Sequence, residues 1–147
     1  MHDGVVDHFI SWDSCKAANP ELAYNWDNYR FIAPSLNSKK GTWDDKLLDP
    51  FEVQAGWFEV EIPGFVLRLT NQIPAHLRDK ATLTLDQLDL QQGRRAVTLR
   101  CEWYELFRLG ELNLDGLRRN APLVASAVEA WQRNGNGALP IVPCPVR

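Results

Sequence analysis

The chain has 147 residues, 45% of them hydrophobic and 24% charged, which separates it from disordered tails and gives it enough surface to bury a core without staples. No run approaches the roughly 20 apolar residues of a membrane helix, and the opening Met1-His2-Asp3-Gly4-Val5-Val6-Asp7 lacks the basic and apolar segments of a signal peptide. A net charge of −3 and a pI near 5.6 are not those of a typical DNA-binding module. The charge is unevenly spread: residues 1–70 hold 6 Lys/Arg against 11 Asp/Glu, a net of −5, while residues 71–147 come to +2. An acidic first half means either carboxylates gathered around a cation or a solvated acidic face. Cys15, Cys101 and Cys144 are odd in number, widely spaced and form no CxxC. That pattern argues against a disulfide scaffold or a cysteine zinc site, and it fits a reducing cytoplasm.

Val5-Val6-Asp7-His8-Phe9-Ile10 is a β-branched and aromatic run after Gly4, a strand signal that ends in the turn chemistry of Ser11–Ser14. Residues 13–27 keep no period, and Asn19-Pro20 breaks any helix there. A connection of that length in a compact domain is often functional. Tyr29–Ala33 is a second strand, stopped by Pro34; Ser35 can then cap a short helix to about Lys40, with Gly41 as its end. Gly56–Ile62 and Phe65–Thr70 flank Pro63-Gly64 and read as a β-hairpin. Leu83, Leu85, Leu88 and Leu90 mark a short helical or mixed segment. Ala96, Leu99, Arg100, Trp103, Leu106 and Phe107 recur at three and four, giving an amphipathic helix from about Gly93 to Leu109, ended by Gly110. A further helix is expected over residues 123–133 with Pro122 in its first turn, followed by an irregular tail. Among the tryptophans, Trp26 and Trp57 are the expected core packers.

Three positions carry chemistry: Asp7-His8 closing the first strand, Asn28 just before the second, and Asn37 in the short helix. Hydrolysis of a phosphodiester needs a base for water, a cation for the phosphate and fixed geometry between them. Histidine has the pKa for the first task. A carboxylate with an amide oxygen suits a hard divalent ion that keeps several waters.

Val6-Asp7-His8-Phe9, Pro20 through Arg30, Asn37-Ser38-Lys39-Lys40-Gly41 and Leu48-Asp49-Pro50-Phe51 together resemble the HNH endonuclease superfamily, in its bacterial branch of defence and retron-type loci. The segment from Thr82 to Leu90, the long helix and Ala121-Pro122 extend the resemblance over roughly residues 5–130. Only six residues precede Asp7, so the chain reads as an N-terminally short member. The stretch after His8, usually basic in that branch, is here Ile10-Ser11-Trp12-Asp13-Ser14. The resemblance implies His8 as general base, Asp7 and Asn37 as ligands of one divalent cation (Mg²⁺, or Mn²⁺), and Asn28 as the residue that holds His8 through the loop backbone. It places Lys39 and Lys40 near the nucleic-acid backbone.

The expected architecture is α+β: an HNH-like ββα-metal unit over residues 1–50, then a hairpin and helices over 51–134 in the same domain, and a tail over 135–147. The expected function is metal-dependent endonucleolytic hydrolysis of DNA in the cytoplasm. The alternative is an HNH-derived module without activity that binds nucleic acid or a protein partner such as a defence-system ATPase. A membrane role is not expected.

Overall fold

The computed structural model describes residues 4–145. It is an α+β fold with two antiparallel strand pairs, β1 (Val5–His8) with β2 (Tyr29–Ile32) and β3 (Phe58–Glu61) with β4 (Val66–Leu69). The helices are α1 (Trp12–Cys15), α2 (Pro34–Lys40), α3 (Ala75–Gln87), α4 (Arg94–Arg108), α5 (Leu114–Asn120) and α6 (Pro122–Arg133). Among the described residues no helix is long and apolar enough to cross a membrane. The chain condenses into two units: residues up to Val53 with His76–Leu88, and Gln54–Ala75 with the residues from Asp89 on.

In the first unit β1 and β2 pair in the register Val5↔Ile32, Val6↔Phe31, Asp7↔Arg30 and His8↔Tyr29. Strand alternation therefore sets Asp7 and Arg30 on one face and His8 and Tyr29 on the other. Pro34 begins α2, where its missing N–H costs nothing. Ala33, not Ser35, holds the N-cap position, without a side-chain cap, because Pro34 starts the helix two residues earlier than a Ser35 cap would. Gly41 ends α2 at φ +50, a conformation open to glycine. The long connection between the strands is not structureless. It holds α1 and two 3-10 turns, Pro20–Tyr24 and Trp26–Asn28. Cys15, Leu47, Leu48, Ala81 and Leu85 are the buried apolar residues of the first unit. Leu48 N donates to Thr84 Oγ1 at 2.7 Å and Gln87 Nε2 to the Lys39 carbonyl at 2.7 Å, so nearly all of α3 belongs with this unit.

In the second unit Val60 and Leu67 face each other across the β3–β4 hairpin and are both buried. They share a core with Trp57, Phe65, Ile73, Tyr104, Leu117, Val124, Ala125 and Val128. The Phe65 and Tyr104 rings sit 5.1 Å apart. Arg100, on α4, donates to the carbonyls of Leu90 (2.6 Å), Phe65 (2.9 Å) and Gln91 (3.3 Å). These backbone acceptors compensate a guanidinium whose burial lowers its pKa. Helix α5 was not expected. Asn113 caps it by accepting from Gly116 N at 2.8 Å.

Among the described residues the tail holds no helix or strand, yet it is tied down. Tyr104 Oη donates to the Pro140 carbonyl at 2.7 Å, Thr98 Oγ1 to that of Pro145 at 3.3 Å, and Cys144 forms a disulfide with Cys101. This corrects the reading of the cysteines: two of them pair across 43 positions, and Cys15 alone stays free, buried in the first unit. Spacing hid the pair because the tail folds back onto α4.

Candidate functional site

The Asp7-His8 step lies at the end of β1, where the chain leaves the sheet for the long connection. His8 Nε2 lies 3.0 Å from the Ala23 carbonyl, which also accepts from Tyr29 Oη at 2.8 Å. A carbonyl can only accept, so this network assigns the imidazole proton to Nε2 and leaves the Nδ1 lone pair as the basic position. Nδ1 has no hydrogen-bond partner among the described residues. The ring stands edge-on to Tyr29 at 5.2 Å, and Tyr29 in turn meets Trp26 at 5.3 Å. His8, Trp12, Ala23, Tyr24 and Tyr29 line an open recess of ≈ 380 Å³.

Asn28 is 5% exposed. Its Oδ1 accepts from Ile10 N at 2.7 Å, and its Nδ2 donates to the carbonyls of Ile10 (3.0 Å) and Leu22 (3.1 Å). Its own carbonyl accepts from Phe9 N at 2.7 Å. One amide side chain thus ties the residues just after His8 to the turn before Ala23, the carbonyl that orients the imidazole. Asn28→Ala would strand the Ile10 and Leu22 groups and cost about 2–3 kcal/mol. The expected readout is a lower urea midpoint and faster hydrogen exchange at Ile10 in the variant.

Asp44 completes the frame. It accepts from Ser11 N at 2.9 Å, from Ser11 Oγ at 3.2 Å and from the Ser14 hydroxyl, and so ties down the start of α1. Burial opposes its ionisation, but the serine hydrogen bonds and the nearby Lys40 charge outweigh burial and hold its carboxyl below the usual range. Arg30, beside Asp7 on its strand face, forks onto Asp49 at 2.8 and 2.5 Å and stacks over Phe51 at 3.9 Å.

Lys40 differs most from its expected place. Instead of lying beside a nucleic-acid backbone it is 4% exposed. Its long stem folds back from the last turn of α2, so that Nζ donates to the His8 carbonyl at 2.8 Å and pairs with Asp7 Oδ2 at 2.9 Å. That oxygen is buried and makes no aligned hydrogen bond. Lys39 is exposed. Asn37 is half-buried, and its side chain makes no hydrogen bond among the described residues; its backbone N–H donates to the Ala33 carbonyl and its own carbonyl accepts from Gly41 N, both at 3.0 Å. The structure therefore joins Asp7 to Lys40 and joins Asn28 to the loop that holds His8. Trp26, expected in the core, is 82% exposed, and Tyr24 beside the recess is 80% exposed. Trp57 is buried as expected. Nothing in the sequence separates Trp26 from Trp57 except neighbours: Trp26 follows Asn25 in a polar turn, whereas Trp57 opens an alternating strand.

No family model, curated protein or solved structure matches this chain.

The resemblance implies a divalent ion at Asp7 and Asn37, and the geometry allows a test of the fit. Carboxylate and amide oxygens are the right donors for Mg²⁺, and Asp7 Oδ2 has no aligned hydrogen-bond donor. The ammonium of Lys40 already sits on that oxygen, however. A divalent ion bound there with Lys40 in place would meet a unit charge at about 4 Å, costing about 8 kcal/mol at an effective dielectric of 20. Among the described residues no three His, Cys, Asp or Glu side chains gather to offset that cost. As arranged, with Lys40 in place, these residues do not accommodate a divalent ion.

Proposed function

We propose that the chain is an HNH-type nuclease module that hydrolyses phosphodiester bonds of DNA, with His8 as the base that takes a proton from the attacking water at Nδ1. The observation that carries the reading is the bond from His8 Nε2 to the Ala23 carbonyl, which fixes the tautomer and leaves Nδ1 as the acceptor, beside an open recess. Supporting it are the strand–strand–helix order with Asp7-His8 at the strand end, and Asn28 bracing the loop that orients the imidazole. Tyr29 Oη shares the carbonyl and limits tilting of the ring. Exposed Lys39 supplies a cation for the phosphate backbone. The resemblance implies Mg²⁺ or Mn²⁺ for such a reaction, an ion that the Asp7 site takes up only if Lys40 is displaced, and a cytoplasmic place goes with DNA as the substrate. The Cys101–Cys144 bond pulls the other way on location, because disulfides form and persist in oxidising compartments.

The test is incubation of purified chain with supercoiled plasmid and Mg²⁺ or Mn²⁺, beside His8→Ala. Loss of a general base lowers such rates by about a hundredfold or more. Undiminished nicking by the variant removes His8 from the mechanism. A second reading, an HNH-derived module that binds a protein or nucleic acid without cleaving, is favoured by one observation: the Asp7 carboxylate is already spent on Lys40. Absence of nicking at any divalent concentration, with plasmid still retained by the protein in a gel-shift, selects it.

A further inference from the structure

We propose that Lys40 is the resident cation of the Asp7 site and competes with divalent ions for it. The inference shares Asp7 with the nuclease reading but does not need the chemistry. A lysine in the last turn of a helix normally extends into water, where its charge also favours the helix end. Lys40 instead buries its ammonium, at 4% exposure, between two acceptors: the Asp7 carboxylate and the His8 carbonyl. Burying a charge demands compensation of this kind. The partner could not equally be Asp44, the other carboxylate whose charge Lys40 feels, because its oxygens are taken up by Ser11 and Ser14. Asp7 Oδ2 has no aligned hydrogen-bond donor, so the ion pair is what satisfies it. The acceptor that a hard cation would seek is thus neutralised from within the chain, by a residue three positions after Asn37 on the same short helix. A divalent ion gains Asp7 only by expelling Lys40, and the same movement frees the His8 carbonyl at the base of the imidazole.

The experiment is calorimetric titration of Mn²⁺ into the full chain, comparing wild type, Lys40→Met and the double variant Lys40→Met with Asp7→Asn. Lys40→Met is expected to bind Mn²⁺ at least about tenfold more tightly than wild type, since a neighbouring positive charge has been removed, and the added Asp7→Asn should abolish the gain. Lys40→Gln keeps a donor for the His8 carbonyl and replaces the methionine variant if that one does not fold by circular dichroism. Equal affinity in wild type and variant overturns the proposal, as does a gain that survives Asp7→Asn. Unfolding of both Lys40 variants also overturns it, by making the pair a structural brace. Plasmid nicking measured on the same samples keeps two failures apart. Nicking without an affinity difference sinks the competition alone, and an affinity difference without nicking sinks the nuclease reading alone.

Discussion

Arg30→Ala should cost the first unit about 3–5 kcal/mol, read as a shifted urea transition by far-UV circular dichroism at pH 7. Arg30 is 8% exposed and holds Asp49 through paired N–H···O contacts. It also donates to the carbonyls of Asp27 (2.7 Å) and Tyr29 (2.8 Å) and lies over the rings of Phe51 and Phe9. Truncation leaves an uncompensated carboxylate in a largely buried position, which is the expensive way to break such a pair. The pH dependence follows in sign. Burial pushes the Asp49 carboxyl up, but the hydrogen bonds and charge of Arg30, with the Phe51 N–H, outweigh burial and hold it below the ordinary value. A carboxyl depressed in the folded state contributes stability above its unfolded pKa of about 3.9 and loses it as pH falls through the folded value. In Arg30→Ala that contribution is gone and burial alone acts on Asp49. The gap between wild type and variant should therefore hold near neutral pH and narrow below about pH 5, as the pH falls through the unfolded value to the lower folded one. A gap that stays constant would show that packing over Phe51, rather than the ion pair, carries the loss.

Cys144→Ser should destabilise the second unit by about 4 kcal/mol, the chain-entropy value for a closed loop of 43 residues. Strain or residual order in the unfolded chain would reduce it to about 2 kcal/mol. The bond closes α5 and α6 into one loop with the tail, whose other ties are the hydrogen bonds of Pro140 and Pro145. Urea unfolding of the oxidised chain, the reduced chain and Cys144→Ser measures the effect. The last two should agree within error. Trypsin should also cut more readily after Arg133 in both, since the segment beyond it is then tethered only by hydrogen bonds. Thiol titration of freshly lysed cells expressing the chain reports whether the bond forms where the protein resides.

Elements whose signal is local were legible in the sequence. Strands β1 and β2 and the β3–β4 hairpin follow from β-branched runs between proline, glycine and polar turns, and α4 from its three-and-four spacing between Gly93 and Gly110. Helix α5 escaped because it is short and carries Gly116 in its middle. Its actual signal was the cap: Asn113, then Asp115 in the first turn and Arg118 and Arg119 in the last. The site was legible as a set of positions and not as a set of contacts. That Asn28 would bind loop backbone is a local matter, since its partners flank the same connection. That Lys40 would abandon solvent for Asp7 is not local: it depends on α2 packing back on the end of β1 across 33 positions. The Arg30–Asp49 fork and the Cys101–Cys144 bond are hidden for the same reason. Charged residues and cysteines give no hint of distant partners until the fold supplies them. Trp26 shows the converse error, because its hydrophobicity alone suggested burial.

The placement of the indoles makes the two units optically distinct without any label. Trp12, Trp26 and Trp43 belong to the first unit and are exposed, whereas Trp57, Trp103 and Trp131 belong to the second and are buried or half-buried. Iodide should quench the long-wavelength part of the emission and leave the shorter-wavelength part standing. Melting of the second unit alone will move that remaining band to the red, while events around His8 will register in the quenchable fraction.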